Sequence, residues 1–271
     1  MESNLLLENY LKRLRLPMIA RTFAKVADEA SAANLSYERY LLALVEQEVN
    51  QREQNAFGMR MKRAGFPVMK SFENFDFAAS PGIDKQRLLQ LGECHWIENA
   101  EVVILVGNPG VGKSHCAIAL GVEACRRGKR VRYFSAENLA TAIVEAKAQM
   151  LYGKLQRQLE RTDVVVVDEL GYVSLSRESA QALFHFFSER HERQSVIITT
   201  NLEFGKWTEV FGDERMTAAL LDRITHKAHI FLATGESYRF RESQKRRHGT
   251  KGRTAADPGT SAGKTNPEER R

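Results

Sequence analysis

The segment Gly107-Asn108-Pro109-Gly110-Val111-Gly112-Lys113-Ser114 follows directly on the apolar run Val102-Val103-Ile104-Leu105-Val106. Its G-x-x-x-x-G-K-S spacing restricts the fold more than any other feature of the chain. Such a loop needs a strand to deliver it and a helix to leave it, so that backbone N–H groups and the helix N-terminus converge on phosphate oxygens. Lys113 is then expected to reach the β and γ phosphates and Ser114 to ligate Mg²⁺, which makes a nucleoside triphosphate such as ATP the expected ligand.

Four further runs of the same kind follow the first, which spans 101–107: 130–135 (RVRYFS), 164–169 (VVVVDE), 195–201 (SVIITTN) and 228–233 (AHIFLA). They are continuously apolar instead of alternating, as strands buried on both faces of a parallel sheet must be. With helices between them, the expected fold is α/β, a three-layer P-loop domain on five core strands. The first sixty-five residues carry no strand signal. Leu7, Tyr10, Leu11 and Leu14, then Ile19, Phe23, Val26 and Ala30, recur at helical spacing, and Ser36 can cap a third helix containing Tyr37, Leu41, Leu44, Val45 and Glu48. The predicted organisation is a helical amino-terminal domain over 1–66, the nucleotide domain over 67–244 and a basic tail over 245–271.

Fifty-five residues beyond Lys113, four valines deliver Asp168 and Glu169 to a strand end. Asp168 is expected on the metal side, through water, and Glu169 as the group that polarises the attacking water. The next run ends in Asn201, whose amide could orient water and sense the γ-phosphate, or could be an ordinary turn residue. Arg223 and Arg239, sixteen residues apart around the last run, suit phosphate oxygens. Either could instead be a surface arginine paired with Asp222 or Glu236. The segment 71–77, with Phe72, Phe75 and Phe77, offers aromatic faces to a base or simply fills core.

The net charge of +6 belongs to the end of the chain: residues 239–271 hold ten basic and four acidic side chains, and residues 1–238 are neutral. From Lys245 onward almost no large apolar residue remains, so disorder is expected there. The tail could touch nucleic-acid phosphates without sequence preference or be a solvated terminus. Lys147, Lys154, Arg157 and Arg161 in the long stretch 137–161 are weaker candidates for DNA contact, since a solvated helix face explains them equally. Three cysteines are too few for a disulfide framework and no apolar run could span a bilayer, so a cytoplasmic protein without a membrane partner is expected.

The series GNPGVGKSH, VVVVDELGY, IITTNLEFGKW, LLDRITH and GESYRF resembles the IstB transposition helper ATPases. These are relatives of the DnaC helicase loaders in the AAA+ initiator clade, and the resemblance extends over roughly residues 1–245. It implies an AAA+ ATPase domain in which Lys113 and Ser114 bind phosphate and Mg²⁺, Asp168 is the metal-side carboxylate and Glu169 the catalytic base. By the same resemblance Asn201 is the first sensor, Arg223 the arginine finger and Arg239 the second sensor, and the extra helix in 137–161 touches DNA. It further implies a homo-oligomer on duplex DNA, with ATP at subunit interfaces, that directs a cognate transposase. A DnaC-like replicative helicase loader is the nearest alternative. A small-molecule phosphotransferase and a module with a purely structural nucleotide site are more distant ones.

Overall fold

The computed structural model describes residues 2–235, 237 and 238. Arg239, the expected second sensor, and the basic tail lie outside the described residues.

The chain opens with three helices, α1 (Glu2–Arg13), α2 (Pro17–Ala32) and α3 (Tyr37–Ala64). Pro17 sits in the first turn of α2, where its missing N–H would have had no partner in any case. The free amides of that turn find theirs on α3: the buried Glu48 carboxylate accepts from Met18 N at 2.8 Å and Ile19 N at 3.2 Å. Arg52 donates to the same carboxylate from one turn further on, at 2.9 Å. Leu11, Ile19, Val26 and Leu44 form a small core of their own among these helices. The Ser36 hydroxyl caps α3 by accepting from Arg39 N, and Gly65, at φ 73°, ends it.

At 28 residues α3 is about 42 Å long. Its last turns leave the helical bundle and join the core of the sheet, where Ala64 is fully buried and Phe57, Met61 and the following Phe66 pack beside it. Arg60 fastens this contact by donating to the Cys125 carbonyl at 2.7 Å. Two short helices, α4 (Lys85–Leu91) and α5 (His95–Glu98), then lead to the first strand.

The five expected strands are β1 (Val102–Gly107), β2 (Val131–Ser135), β3 (Val164–Leu170), β4 (Ser195–Thr200) and β5 (Ala228–Ala233). They form one parallel sheet in the order β2-β3-β4-β1-β5. Between them run α6 (Lys113–Arg126), α7 (Ala136–Ala148), α8 (Tyr152–Glu160), α9 (Arg177–Arg190), α10 (Thr208–Phe211) and α11 (Glu214–Thr225).

The continuous apolar runs have their physical reason in two cores. Val103, Leu105, Val164, Val166 and Ile197 face α6, α4, α5 and the end of α3, whereas Ile104, Val106, Val165, Val167, Val196 and Ile198 face α7, α9, α10 and α11. Successive residues of a strand point to opposite faces, so a strand covered on both must be apolar at every position. The strand order puts β4 between β1 and β3. The loop after β1 and the carboxylates ending β3 therefore meet across the end of β4, at the carboxyl edge where open α/β sheets hold ligands. Among the described residues no helix is long and apolar enough to cross a membrane.

Candidate functional site

The loop 107–114 leaves β1 and enters α6 through backbone conformations that side chains would resist. Gly110 has φ 85° and Gly112 has φ 97°, and a Cβ on Gly112 would stand 2.5 Å from the Phe75 ring. A Cβ on Gly110 would meet the Ser237 hydroxyl at 2.1 Å, because residues 237 and 238 pack against the loop. Tyr238 N donates to the Gly110 carbonyl at 3.0 Å. The Lys113 side chain is buried and its Nζ donates to the Asn108 carbonyl at 2.8 Å, so the amine curls over the loop it belongs to. Ser114, in the first turn of α6, donates from Oγ to Asp168 Oδ1 at 2.9 Å.

Asp168 and Glu169 are neighbours in sequence with opposite surroundings. Asp168 is buried and Glu169 is exposed into the cleft. Simple strand alternation is not what separates them. Pairing of β3 with β4 runs Val167 to Ile198 and resumes at Leu170 to Thr200, so that Asp168 and Glu169 together stand opposite Thr199. This two-against-one pairing is a β-bulge, and it drives Glu169 to φ 62°, a left-handed conformation unusual for a side chain of its size.

Two hydroxyls missed at the sequence level complete the Asp168 environment. Tyr133 of β2 donates from its phenol to Asp168 Oδ2 at 2.5 Å. Burial, with the Asp168 carboxylate second, pushes the Tyr133 ionisation far above the ordinary tyrosine value, so the phenol keeps its proton. Thr199, fully enclosed, donates from Oγ1 to Asp168 Oδ1 and accepts from Glu169 N at 2.9 Å. Tyr133 sits in an apolar strand run and reads as core. Only the strand order, which sets β2 beside β3, could have singled it out.

The cleft in front of these groups has a volume of about 590 Å³. Gly110 to His115, Tyr133, Asp168 and Glu169 form one wall, and Pro67 to Lys70, Asn74, Phe75 and Asp76 the other. Phe75 serves both readings considered for the 71–77 segment: it packs edge-on to Phe77 and His115, at 4.7 and 5.0 Å between ring centres, and also lines the cleft. His115 holds this segment to the loop through a 2.8 Å hydrogen bond to the Ser71 carbonyl, and burial lowers its pKa, favouring the neutral ring.

Asn201 follows β4 directly; its side-chain oxygen is buried with no hydrogen-bond partner among the described residues, and it does not line the cleft. Arg223 lies elsewhere. It is exposed on α11 and donates to Ser188 Oγ of α9 at 2.9 Å, away from the residues lining the cleft. The stretch 137–161 forms two helices, α7 and α8, where one crossover would suffice. All four basic residues, Lys147, Lys154, Arg157 and Arg161, are exposed: Lys147 lies over the Tyr152 ring at 5.2 Å, and Arg157 donates to the Gly153 carbonyl. Hard oxygen donors at Ser114 and Asp168, without any cluster of three His, Cys, Asp or Glu among the described residues, suit a Mg²⁺ ion shared with phosphate and unsuit a self-sufficient protein metal cage.

Known proteins resemble this chain over most of its length. The family model for the IstB-like ATP binding protein matches residues 9–246. The ATP-binding protein of insertion sequence IS21 from Pseudomonas aeruginosa is 37% identical over 239 residues, covering 88% of this chain and 90% of its own. The ATP-binding protein of insertion sequence IS5376 from Geobacillus stearothermophilus is 35% identical, covering 88% and 95%. Among solved structures, a DNA replication initiation factor gives a TM-score of 0.51 at 21% identity, over 69% of this chain and 56% of that one. Domain III of the Thermotoga maritima replication initiation protein DnaA gives 0.50 at 17% identity, over 69% and 76%. A phosphate loop, an acid pair at the end of β3 with β4 between it and that loop, and a family match over most of the length converge on one assignment: this chain belongs to the IstB-like ATP-binding proteins of insertion sequences, on the AAA+ P-loop fold.

Proposed function

We propose that this protein hydrolyses ATP and uses the nucleotide to assemble as a homo-oligomer on duplex DNA, where it recruits or stimulates the transposase of its own insertion sequence. The observation that carries the reading is the bulge that sets Glu169 into the cleft while Asp168 stays bonded to Ser114. A site built only to hold a nucleotide has no use for an exposed carboxylate on a strained backbone. The relatives named as ATP-binding proteins of insertion sequences support the transposition role.

In this reading the amides of residues 107–114 bind the phosphates and Lys113 leaves the Asn108 carbonyl to neutralise their charge. Ser114 and Asp168 would hold Mg²⁺, Asp168 through water, and the ion when bound supplies charge neutralisation at the phosphate oxygens. Glu169 accepts a proton from the attacking water. Asn201, whose buried oxygen has no hydrogen-bond partner among the described residues, turns toward that water and orients it when nucleotide is bound. Arg223, outside its own cleft, acts on the nucleotide of a neighbouring subunit, and Arg239 acts on its own, since the chain just before it is bonded to Gly110. The helical domain over 1–66 is in this account a unit joined to the nucleotide domain over 67–244 through the last turns of α3, the tail over 245–271 is a third unit, and the end of α7 with α8, carrying Lys147, Lys154, Arg157 and the following Arg161, is the DNA-facing element.

Electron microscopy of the full chain with duplex DNA and a nonhydrolysable ATP analogue tests the assembly. Ordered oligomers are expected that vanish when nucleotide is omitted. Monomers on DNA under every nucleotide condition would overturn the proposal.

A further inference from the structure

Thr199 stands opposite the bulge, and its hydroxyl touches both members of the acid pair. It donates to the Asp168 carboxylate and accepts from the backbone N–H of Glu169 at 2.9 Å. The bulge has removed the ordinary β4 partner of that N–H, since Asp168 and Glu169 share a single opposing residue. A partly buried amide without a partner would draw the backbone toward another conformation, and the left-handed φ of 62° at Glu169 persists only where its surroundings fix it. Thr200 closes the far side of the bulge by donating to the Leu170 carbonyl at 2.8 Å, and β4 continues directly into Asn201.

We propose that Thr199 is a positioning residue: its hydroxyl locks the bulge, and with it the direction in which Glu169 enters the cleft, and it ties that direction to the strand carrying Asn201. The proposal deepens the hydrolytic reading and rests on it. Neither Asp168 nor Glu169 depends on Thr199 for being present, only for where each carboxylate points. Loss of the hydroxyl is therefore expected to damage turnover far more than nucleotide binding, which the loop and Lys113 carry.

The test compares Thr199→Val, nearly the same shape without the hydroxyl, with Thr199→Ser, which restores it. Nucleotide affinity is read with a fluorescent ATP analogue and turnover by phosphate release, with Glu169→Gln alongside. The expected result is a turnover loss on the order of a hundredfold in Thr199→Val, as for a misplaced catalytic group. Analogue affinity stays near the parent's, the melting temperature falls by no more than the few degrees expected of one unpaired amide, and Thr199→Ser recovers most of the rate. If Thr199→Val does not fold, Thr199→Ala carries the same comparison. Parental turnover in the valine or alanine variant, with Glu169→Gln inactive, overturns the role of Thr199 and leaves the hydrolytic reading intact. An equal loss in the serine variant also overturns it. A parent protein with no turnover on any DNA overturns the hydrolytic reading itself.

Discussion

Asp168 is a buried carboxylate whose hydrogen bonds come from three hydroxyls on three different elements: Ser114 on α6, Tyr133 on β2 and Thr199 on β4. Each fixes one direction around the carboxylate, and a carboxyl group so constrained presents the same oxygen to the cleft at every cycle. Tyr133→Phe removes one constraint without changing shape. It should lower turnover on the order of tenfold through loss of orientation, and nucleotide affinity in the absence of Mg²⁺ should be unchanged. Because the phenol ionises well above its ordinary value of 10, Tyr133 should contribute no step to the pH profile of the parent below that point. Side-by-side turnover and binding titrations of the two proteins check both statements. Residues singled out by spacing along the chain, such as Lys113, Ser114, Asp168 and Glu169, were visible in the sequence and meet at one cleft. Tyr133 and Thr199 were not, because a hydroxyl's partner depends on which strands lie side by side.

At the level of elements the strands were legible for a plain energetic reason: a strand covered on both faces tolerates few polar positions, which the central runs 102–106, 164–167 and 196–198 obey, while the edge strands β2 and β5 admit Arg132 and His229. The bulge left no such trace, since it is a mismatch in pairing count and not a pattern of residue types. Nor did the double role of α3 show in its periodicity, because its two halves bury different faces against different partners. Glu48 is the hinge of that helix's amino-terminal contact. Burial raises its pKa, but Arg52 and the amides of Ile19 and Met18 outweigh that and hold it below the ordinary glutamate value near 4.5. A folded pKa below the unfolded one stabilises above the unfolded value and loses that contribution as pH falls through the folded value. Glu48→Gln keeps one oxygen for the two amides but loses the charge and turns an NH2 toward Arg52, so it should cost about 1–3 kcal/mol at neutral pH, the range for hydrogen bonds to a charged group. The stability difference between parent and variant should shrink below pH 4.5, the same glutamate value. Denaturant titrations at the two pH values measure it, and a pH-independent difference would remove Glu48 as the cause.

For the whole molecule, the charge surplus that makes the protein look basic lies at or beyond Arg239, outside the described residues. Net charge is thus no guide to how the folded body meets DNA, and the argument for assembly rests on Arg223. An arginine exposed on α11, bonded to Ser188 and removed from its own cleft, is available to a neighbour. If it completes that neighbour's site, Arg223→Ala and Lys113→Ala should each be inactive alone, yet mixtures should regain part of the parental turnover. Mixed sites then pair an intact Lys113 with an intact Arg223. No recovery at any mixing ratio would return Arg223 to an ordinary surface role.

The central claim is that Glu169 ends the nucleotide-dependent state on DNA. The most direct measurement is the lifetime of the full-length protein on duplex DNA with ATP and Mg²⁺, parent against Glu169→Gln, followed by single-molecule fluorescence. The carboxamide keeps the volume and loses the basic oxygen, so binding should persist while turnover stops. The account predicts complexes that outlive the parent's by on the order of a hundredfold, the scale of a lost general base, and that match the parent's lifetime with a nonhydrolysable analogue. Equal lifetimes for parent and variant in ATP, with turnover abolished only in the variant, would contradict it.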